Sequence, residues 1–149
     1  MKLDGILNIS GKPGLFKVIS QAKGRVIVES LIDSKRIAIH SNSQANMLQE
    51  IGIYTYNDTK PLSEILDSIA QKENGKESIS HKSSTEELIK YFREILHNYD
   101  EERVYISDIK KIIQWYNIMQ SVDLIKIPKK NKEKNKEKNK EKKELKSKR

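Results

Sequence analysis

The sequence has no cysteine and few of the residues that carry most protein chemistry. Its 149 residues include three histidines, one tryptophan and three prolines. Without cysteine the chain can form no disulfide, no thiolate nucleophile and no Cys-ligated zinc site. It also lacks a run of about 20 apolar residues, the length that a membrane-spanning helix needs. The apolar run in the N-terminal stretch "MKLDGILNIS" is too short for a signal peptide. We therefore expect a cytoplasmic protein that does not enter a membrane.

A glycine-rich stretch near the N-terminus is not a phosphate-binding loop. In "SGKPGLFKVIS" two glycines and a lysine follow an apolar run, but a Walker loop requires G-x-x-x-x-G-K followed by Ser or Thr. Pro13 instead fixes φ at the second position of a turn, and Gly14 supplies the positive φ of the third. We therefore predict a turn between two strands over residues 12–15. The sequence predicts no cofactor and no small-molecule substrate.

The histidines and their acidic neighbours form no recognisable catalytic or metal site. His40 ends a predicted strand and has no carboxylate within two residues. His81 directly follows a serine, but a catalytic Ser–His pair must meet at hydrogen-bond distance, normally from separate elements. His97 and the acids at 100–102 lack the alternating oxygen ligands and central glycine of a calcium loop. The sequence therefore predicts no catalytic and no metal-ligating residue.

The first 56 residues follow a β-strand pattern. Short β-branched runs are separated by turn residues, with Gly24 between the second and third runs and "DSKR" at 33–36 closing a hairpin. Five strands at this spacing predict a small closed or nearly closed β-barrel of SH3-like or OB-like size over residues 1–58. The runs are "LDGILNI", "LFKVIS", "RVIVESLI", "IAIHS" and "IGIYTY".

The period becomes helical after residue 58, which makes the fold class α+β. A connecting helix and linker are predicted over residues 59–77, and the polar break "ENGKES" is the expected domain boundary. A helical domain over residues 78–127 opens with Ser84 and Glu87 in capping-box spacing. The apolar stripe of the connecting helix comprises Leu62, Ile65, Leu66, Ile69 and Ala70, and that of the next helix Leu88, Tyr91, Phe92, Ile95 and Tyr99.

A last helix, with Ser107 as the expected N-cap, has apolar groups in more than one direction. Its main stripe contains Ile109, Ile112, Ile113 and Tyr116. At 100° per residue Trp115 lies on the flank of that stripe, and Ile118 and the stem of Lys111 lie nearly opposite it. Either the helix is sandwiched between the helical domain and the barrel, or these three residues form part of a protein-binding surface.

The positive charge of the chain lies in its C-terminal tail. Residues 128–149 contain twelve basic and four acidic residues, a net charge of +8, whereas residues 1–127 contain 17 of each. The repeated "NKEK" units have no apolar stripe to bury, so we expect this segment to be disordered. Such a tail is either a nonspecific polyanion-binding arm or compositional drift that produced a solubilising tail.

Four segments, in order along the chain, resemble one protein family. They are "MKLDGILNISGKPGLFKVIS", "VESLIDSKR", "SHKSSTEELIKYF" and "NYDEERVYISDIKKIIQWYN". Together they resemble the Bacteroidetes proteins grouped as domain of unknown function family 5606, over residues 1 to about 120. The resemblance implies a short β-rich domain followed by a helical one, and it implies no particular activity. The family pattern tends to have proline where this chain has His97, which argues against an essential role for that histidine.

The leading hypothesis is a non-enzymatic interaction module that binds RNA, DNA or a ribonucleoprotein. The neutral body argues against it, and single-stranded recognition usually uses aromatic side chains on a strand face, for which only Phe16, Tyr54 and Tyr56 are available. The candidate nucleic-acid contacts are Lys12, Lys17, Lys23 and Arg25 in the body and Lys129, Lys130, Lys132 and Lys134 in the tail.

Two other functions stay open. The first is a protein-binding adaptor that uses Lys111, Trp115 and Ile118 and tolerates loss of Trp115 without unfolding. The second is a small hydrolase or metal-dependent enzyme, which would require His81 or the acids at 100–102 to converge with groups of the barrel in one pocket.

Overall fold

The computed structural model of the chain describes residues 2–40 and 44–125. Within them, seven β-strands precede three α-helices, and a single 3-10 turn lies between the fifth and sixth strands. The strands are β1 (Ile6–Ile9), β2 (Phe16–Ala22), β3 (Arg25–Ser30), β4 (Arg36–His40), β5 (Ala45–Met47), β6 (Gly52–Tyr54) and β7 (Thr59–Pro61). The helices are α1 (Leu62–Glu73), α2 (Thr85–Ile95) and α3 (Ile106–Ser121), and the 3-10 turn is Leu48–Glu50.

The N-terminal strands form an open sheet, so the predicted closed barrel is wrong. Five antiparallel strands lie in the order β4-β3-β2-β1-β5. In the described part of the chain β4 and β5 form opposite edges, with no ladder between them. The α+β class is confirmed, because the sheet is followed by the three helices.

The barrel prediction failed at its fifth strand. The run "IGIYTY" was expected to complete the sheet, but β6 leaves it and pairs with β7 in a separate hairpin. The fifth strand of the sheet is the short β5, which pairs with β1. Its sequence "ANM" has no β-branched residue, so the propensities of its residues do not reveal it.

The predicted turns are confirmed between β2 and β3 and between β3 and β4, whereas the hydrogen-bonded turn after β1 lies earlier than residues 12–15: Lys12 N donates to Ile9 O at 3.0 Å, and Gly11 takes φ of 83°. Gly14 has φ of 86° between β1 and β2, and Gly24 has φ of 75° between β2 and β3. In the β3–β4 hairpin Ser34 takes φ of 62°, and its N–H donates to Ser30 O at 2.9 Å. Glycine is favoured at the first two positions because it adopts positive φ at little steric cost.

The two faces of the sheet belong to two different apolar clusters. Leu7, Ile9, Phe16 and Val28 form a small cluster without any helix residue, and each is at most 7 % exposed. An uncovered flat face would leave these side chains in water, so we infer that the sheet curls around them. On β1 the alternate residue Ile6 belongs instead to the main core, together with residues of all three helices.

The helical patterns predicted the buried faces well. The five predicted stripe residues of α1 are all buried, and Ser84 caps α2 in a capping box with Glu87. The predicted start of α3 was wrong by one or two residues. Helix α3 begins at Ile106, and the Asp108 carboxylate accepts the Tyr105 N–H at 2.9 Å, so Ser107 is inside the helix.

The segment between α1 and α2 is attached to α3 by hydrogen bonds. Both the N–H and the hydroxyl of Ser78 donate to the side-chain oxygen of Asn117, at 2.9 Å each, and the Asn117 amide donates to Ile79 O at 3.0 Å. The Tyr116 hydroxyl donates to Lys76 O at 2.8 Å, and burial raises the pKa of Tyr116 to about 12. The phenol therefore stays a neutral donor at physiological pH.

None of the three helices has the length and hydrophobicity that a bilayer crossing requires. This holds for the described residues. The cytoplasmic location stays a prediction, as does the division of the chain at 58/59 and 77/78.

The Asn117 hydrogen bonds predict a measurable loss of stability on substitution. We expect Asn117→Ala to lower the free energy of unfolding by about 2 to 3 kcal/mol, because it leaves partly buried groups of residues 78 and 79 unpaired. Asn98→Ala is the matched control, since its side chain makes one exposed bond to Asn57. Urea denaturation should give the control a loss under about 1 kcal/mol. Equal losses in both variants would contradict the anchoring role of Asn117.

Candidate binding groove between the sheet and the helices

A groove of about 280 Å³ lies where the sheet, the β6–β7 hairpin and α3 meet, and we call it the central groove. Four separate segments of the chain line it, which makes it a product of the tertiary fold. Its lining residues are Asn8, Asn46, Ile51, Gly52, Ile53, Tyr54, Arg103, Val104, Asp108, Lys111, Ile112 and Trp115.

One wall of the central groove is a strand edge. Thr55 N donates to Asp58 O at 2.8 Å, and this bond continues the β6–β7 ladder, so Ile53 also bonds toward β7. The backbone groups of Gly52 and Tyr54 therefore point to the opposite edge of β6. Since glycine has only main-chain atoms, the presence of Gly52 in the lining means that backbone itself faces the groove.

Part of this edge is already covered by the segment before α3. Tyr54 O accepts from Asp100 N at 2.9 Å, and Tyr56 N donates to Asn98 O at 3.1 Å. The N–H and C=O of Gly52 and the N–H of Tyr54 lie beyond this covered stretch. The segment at residues 98–100 thus covers half of this edge of β6, and the other half faces the groove.

A side chain at position 52 would displace the side chain of Thr59 on the neighbouring strand. A Cβ at this position would lie 2.5 Å from Thr59 Cγ2, a distance that side-chain carbons do not reach. The two strands of the hairpin that presents the β6 edge are therefore closely packed at this residue.

Tyr54 and Arg103 form the outer rim of the groove. The guanidinium carbon of Arg103 lies 4.4 Å from the centre of the Tyr54 ring, a cation–π contact. Arg103 also binds the Asp100 carboxylate at 3.0 Å. The guanidinium group is the main cause that holds the pKa of Asp100 below its usual value, with further lowering from the backbone N–H of Glu102. The rim is therefore fixed by an ionised carboxylate.

Helix α3 supplies the opposite wall. Asp108, Lys111 and Trp115 lie on it at spacings of three and four residues, which places them on one face of the helix. Lys111 is exposed, whereas Trp115 is only 7 % exposed and belongs to the main core. Ile118 is half-buried and packs against the same core.

The alternatives for α3 are thereby decided in favour of packing. Trp115 is buried between the groove and the core, so we expect its replacement by alanine to cost about 3 to 5 kcal/mol of stability. This burial argues against the expectation that loss of Trp115 leaves the fold intact. Trp115 is buried because the flank of α3 that carries it faces the sheet.

The basic residues predicted for the body do not form one patch. Lys12 is in the β1–β2 turn, and Lys23 and Arg25 flank the β2–β3 turn, at the other end of a strand about 20 Å long. Lys17 lies between them on β2, where its register partner is Glu29. Lys129, Lys130, Lys132 and Lys134 lie outside the described residues. Phe16 is in the small cluster of the sheet and is not available for stacking.

The histidines and acids do not converge. His81 does not line the central groove, and Glu101 forms its own ion pair with Arg93 at 2.7 Å, apart from the Asp100–Arg103 pair. Across residues 2–40 and 44–125 no three His, Asp or Glu side chains are grouped to hold a metal ion.

Most residues of the central groove carry no recognisable signal in the local sequence. Of its lining residues only Lys111 and Trp115 had been singled out as contacts. Asn8 and Asn46 are polar residues in strands, and Arg103 is in a loop, so none of them belongs to a local motif. Their common position arises from the pairing of β1 with β5 and from the packing of α3.

Two family models and one solved structure match the chain. Residues 3–48 match domain of unknown function DUF5606, as the resemblance predicted, and residues 51–119 match domain of unknown function DUF6852. A solution NMR structure from Bacteroides vulgatus is 42 % identical, with a TM-score of 0.72, and the match covers 86 % of this chain and 92 % of that one. The comparison with curated proteins gave no match.

The lowered pKa of Asp100 predicts a pH-dependent contribution to stability. A carboxyl group with a lowered pKa stabilises the fold above its unfolded pKa near 4, and this contribution is lost as the pH falls through the lowered value. We expect Asp100→Asn to be destabilising at pH 7, with a difference from the wild type that shrinks toward pH 3. Urea denaturation at several pH values measures it. A difference that is constant with pH would contradict the assignment.

Proposed function

We propose that this chain, which combines a DUF5606 domain with a DUF6852 domain, is a non-enzymatic interaction module that binds an extended peptide of a protein partner in the central groove. The peptide pairs with the free edge of β6 as an added strand. This refines the adaptor hypothesis, because binding uses the groove beside Lys111 and Trp115 and leaves Trp115 in the core.

The observation that carries the proposal is the half-covered edge of β6. Its Gly52 and Tyr54 backbone groups face a groove, although natural proteins usually cover or protect such edges. The segment at residues 98–100 already pairs with the neighbouring stretch, so the geometry of an added strand is established there. Strand addition gives affinity through main-chain hydrogen bonds, and groove side chains give specificity.

The walls of the groove fit an extended peptide in chemistry as well. Tyr54 is 44 % exposed at the rim, and amphipathic tyrosine rings are common at binding surfaces. Ile112 and Val104 give an apolar floor, and Lys111 and Arg103 give polar contacts at its sides. A groove with an apolar centre and a few polar groups is typical of a recognition site.

Replacement of Tyr54 by proline tests the strand-addition mode. Tyr54→Pro removes an edge N–H that does not bond toward β7, so the hairpin ladder stays intact. We expect peptides that bind the full-length wild type on an array of random 12-residue sequences to lose binding to Tyr54→Pro by at least about tenfold, because a backbone bond and the approach to the edge are both lost.

Tyr54→Ala is the matched control, because it loses the same ring but keeps the N–H. Tyr54→Pro should bind more weakly than Tyr54→Ala, which isolates the effect of the N–H, and circular dichroism should show both variants folded. Equal binding by wild type and Tyr54→Pro would contradict strand addition. An array without any peptide that discriminates between these two proteins would contradict the proposed function itself.

Nucleic-acid binding is a second candidate, supported by the charge distribution. The net charge of +8 lies entirely in residues 128–149, while Lys23 and Arg25 flank one exposed turn of the sheet. A basic arm of this kind gives weak, salt-dependent affinity for any polyanion.

Salt dependence separates tail binding from body binding. For full-length protein and labelled single-stranded RNA, we expect replacement of Lys129, Lys130, Lys132 and Lys134 by glutamine to reduce the slope of log affinity against log salt by about 3 units. Replacing Lys12, Lys17, Lys23 and Arg25 by glutamine should change it by less than about 1 unit, because these residues are not grouped. Fluorescence anisotropy over a salt series measures both slopes. A larger effect of the body variant would contradict the dominance of the tail.

A further inference from the structure

The α3 wall of the central groove carries a positive charge and a hydrogen-bond donor that its own neighbours do not use. Lys111 and Trp115 are one helical turn apart, and both line the groove. Among the described residues, Lys111 has no ion-pair partner and the Trp115 indole N–H has no acceptor. Trp115 is only 7 % exposed, and a buried indole N–H normally has a partner. Both residues line the groove, so a ligand there can supply the missing partners.

The sheet wall adds further donors. Asn8 and Asn46 are direct register partners on β1 and β5, and both line the groove. Within residues 2–40 and 44–125 neither carboxamide group makes a hydrogen bond. Their NH₂ groups can donate to a ligand that is held between the two walls.

The charged residues that line the groove are two cations, Arg103 and Lys111, and one carboxylate, Asp108. Asp108 lies one turn before Lys111, and its carboxylate is engaged by the Tyr105 N–H at 2.9 Å. Arg103 is engaged by Asp100 and by the Tyr54 ring. Lys111 is therefore the groove cation that remains to meet a ligand, and a carboxylate is the complementary group.

We infer that the peptide in the central groove carries a glutamate or aspartate whose side-chain carboxylate binds the Lys111 ammonium group and the Trp115 indole N–H. The inference rests on the proposed function and names the chemistry of the partner. The inference assigns this carboxylate to a side chain of the peptide and not to its C-terminus. The Asn8 and Asn46 amides bind the neighbouring peptide groups.

A charge swap at position 111 tests this inference. The full-length wild type and Lys111→Glu are applied to arrays of random 12-residue peptides, each made with a free and with an amidated C-terminus. We expect wild-type binders to share an acidic residue at one position and Lys111→Glu binders to share lysine or arginine there. For one wild-type binder, Glu→Gln in the peptide and Lys111→Gln in the protein should each weaken binding about tenfold, without further loss when combined.

We expect the basic tail to attract acidic peptides through its charge, and comparison of variants that share this tail removes the contribution. Wild type, Lys111→Glu and Tyr54→Pro carry the same tail, so only differences between them are scored. Binders that are lost in Tyr54→Pro but share no acidic residue would overturn this inference and leave the proposed function standing. Binding that depends on a free C-terminus would also overturn it. The absence of binders sensitive to Tyr54→Pro would overturn both.

Discussion

The burial of Leu3, Ile6 and Leu48 against the helices is the interaction on which the rest of the structure depends. These residues belong to the N-terminal half of the chain, yet they lie in the same core cluster as α1, α2 and α3. The 3-10 turn that contains the fully buried Leu48 leads directly from the sheet into β6. This packing fixes the sheet, the hairpin and α3 in one arrangement, and the central groove is the space between them.

The central groove contains two features that proteins usually avoid unless they serve a function. A strand edge with free backbone groups invites unwanted pairing, and a buried indole N–H without an acceptor is costly in free energy. Here both occur within one groove of about 280 Å³, beside a lysine without an ion-pair partner among the described residues. One ligand, an extended peptide with an acidic side chain, satisfies all three. That a single ligand can satisfy all three groups is the main physical reason for the proposed function.

Local patterns predicted the elements better than their assembly. The stripe of α1, the capping box at Ser84 and the positive φ of Gly14 follow from rules that act within a few residues, and the structure confirms them. The stripe of α2 is confirmed at Leu88, Tyr91 and Phe92, whereas Tyr99 lies beyond the end of the helix. The fifth strand was wrong because pairing with β1 is decided by tertiary packing, and the β6–β7 hairpin competed for the more strand-like run. The groove could not be predicted at all, since Asn8, Tyr54 and Lys111 meet only in the folded chain.

Hydrogen exchange at β6 tests the central claim most directly, because it needs no ligand. By NMR on the full-length protein, the amides of Ile53 and Thr55, which bond toward β7, should exchange slowly. The amides of Gly52 and Tyr54, on the free edge, should exchange at least about tenfold faster than those of these two neighbours. Such alternation along four consecutive residues would establish the open edge. Equal protection of all four amides would show that the edge is already occupied in the free protein, and it would contradict the account.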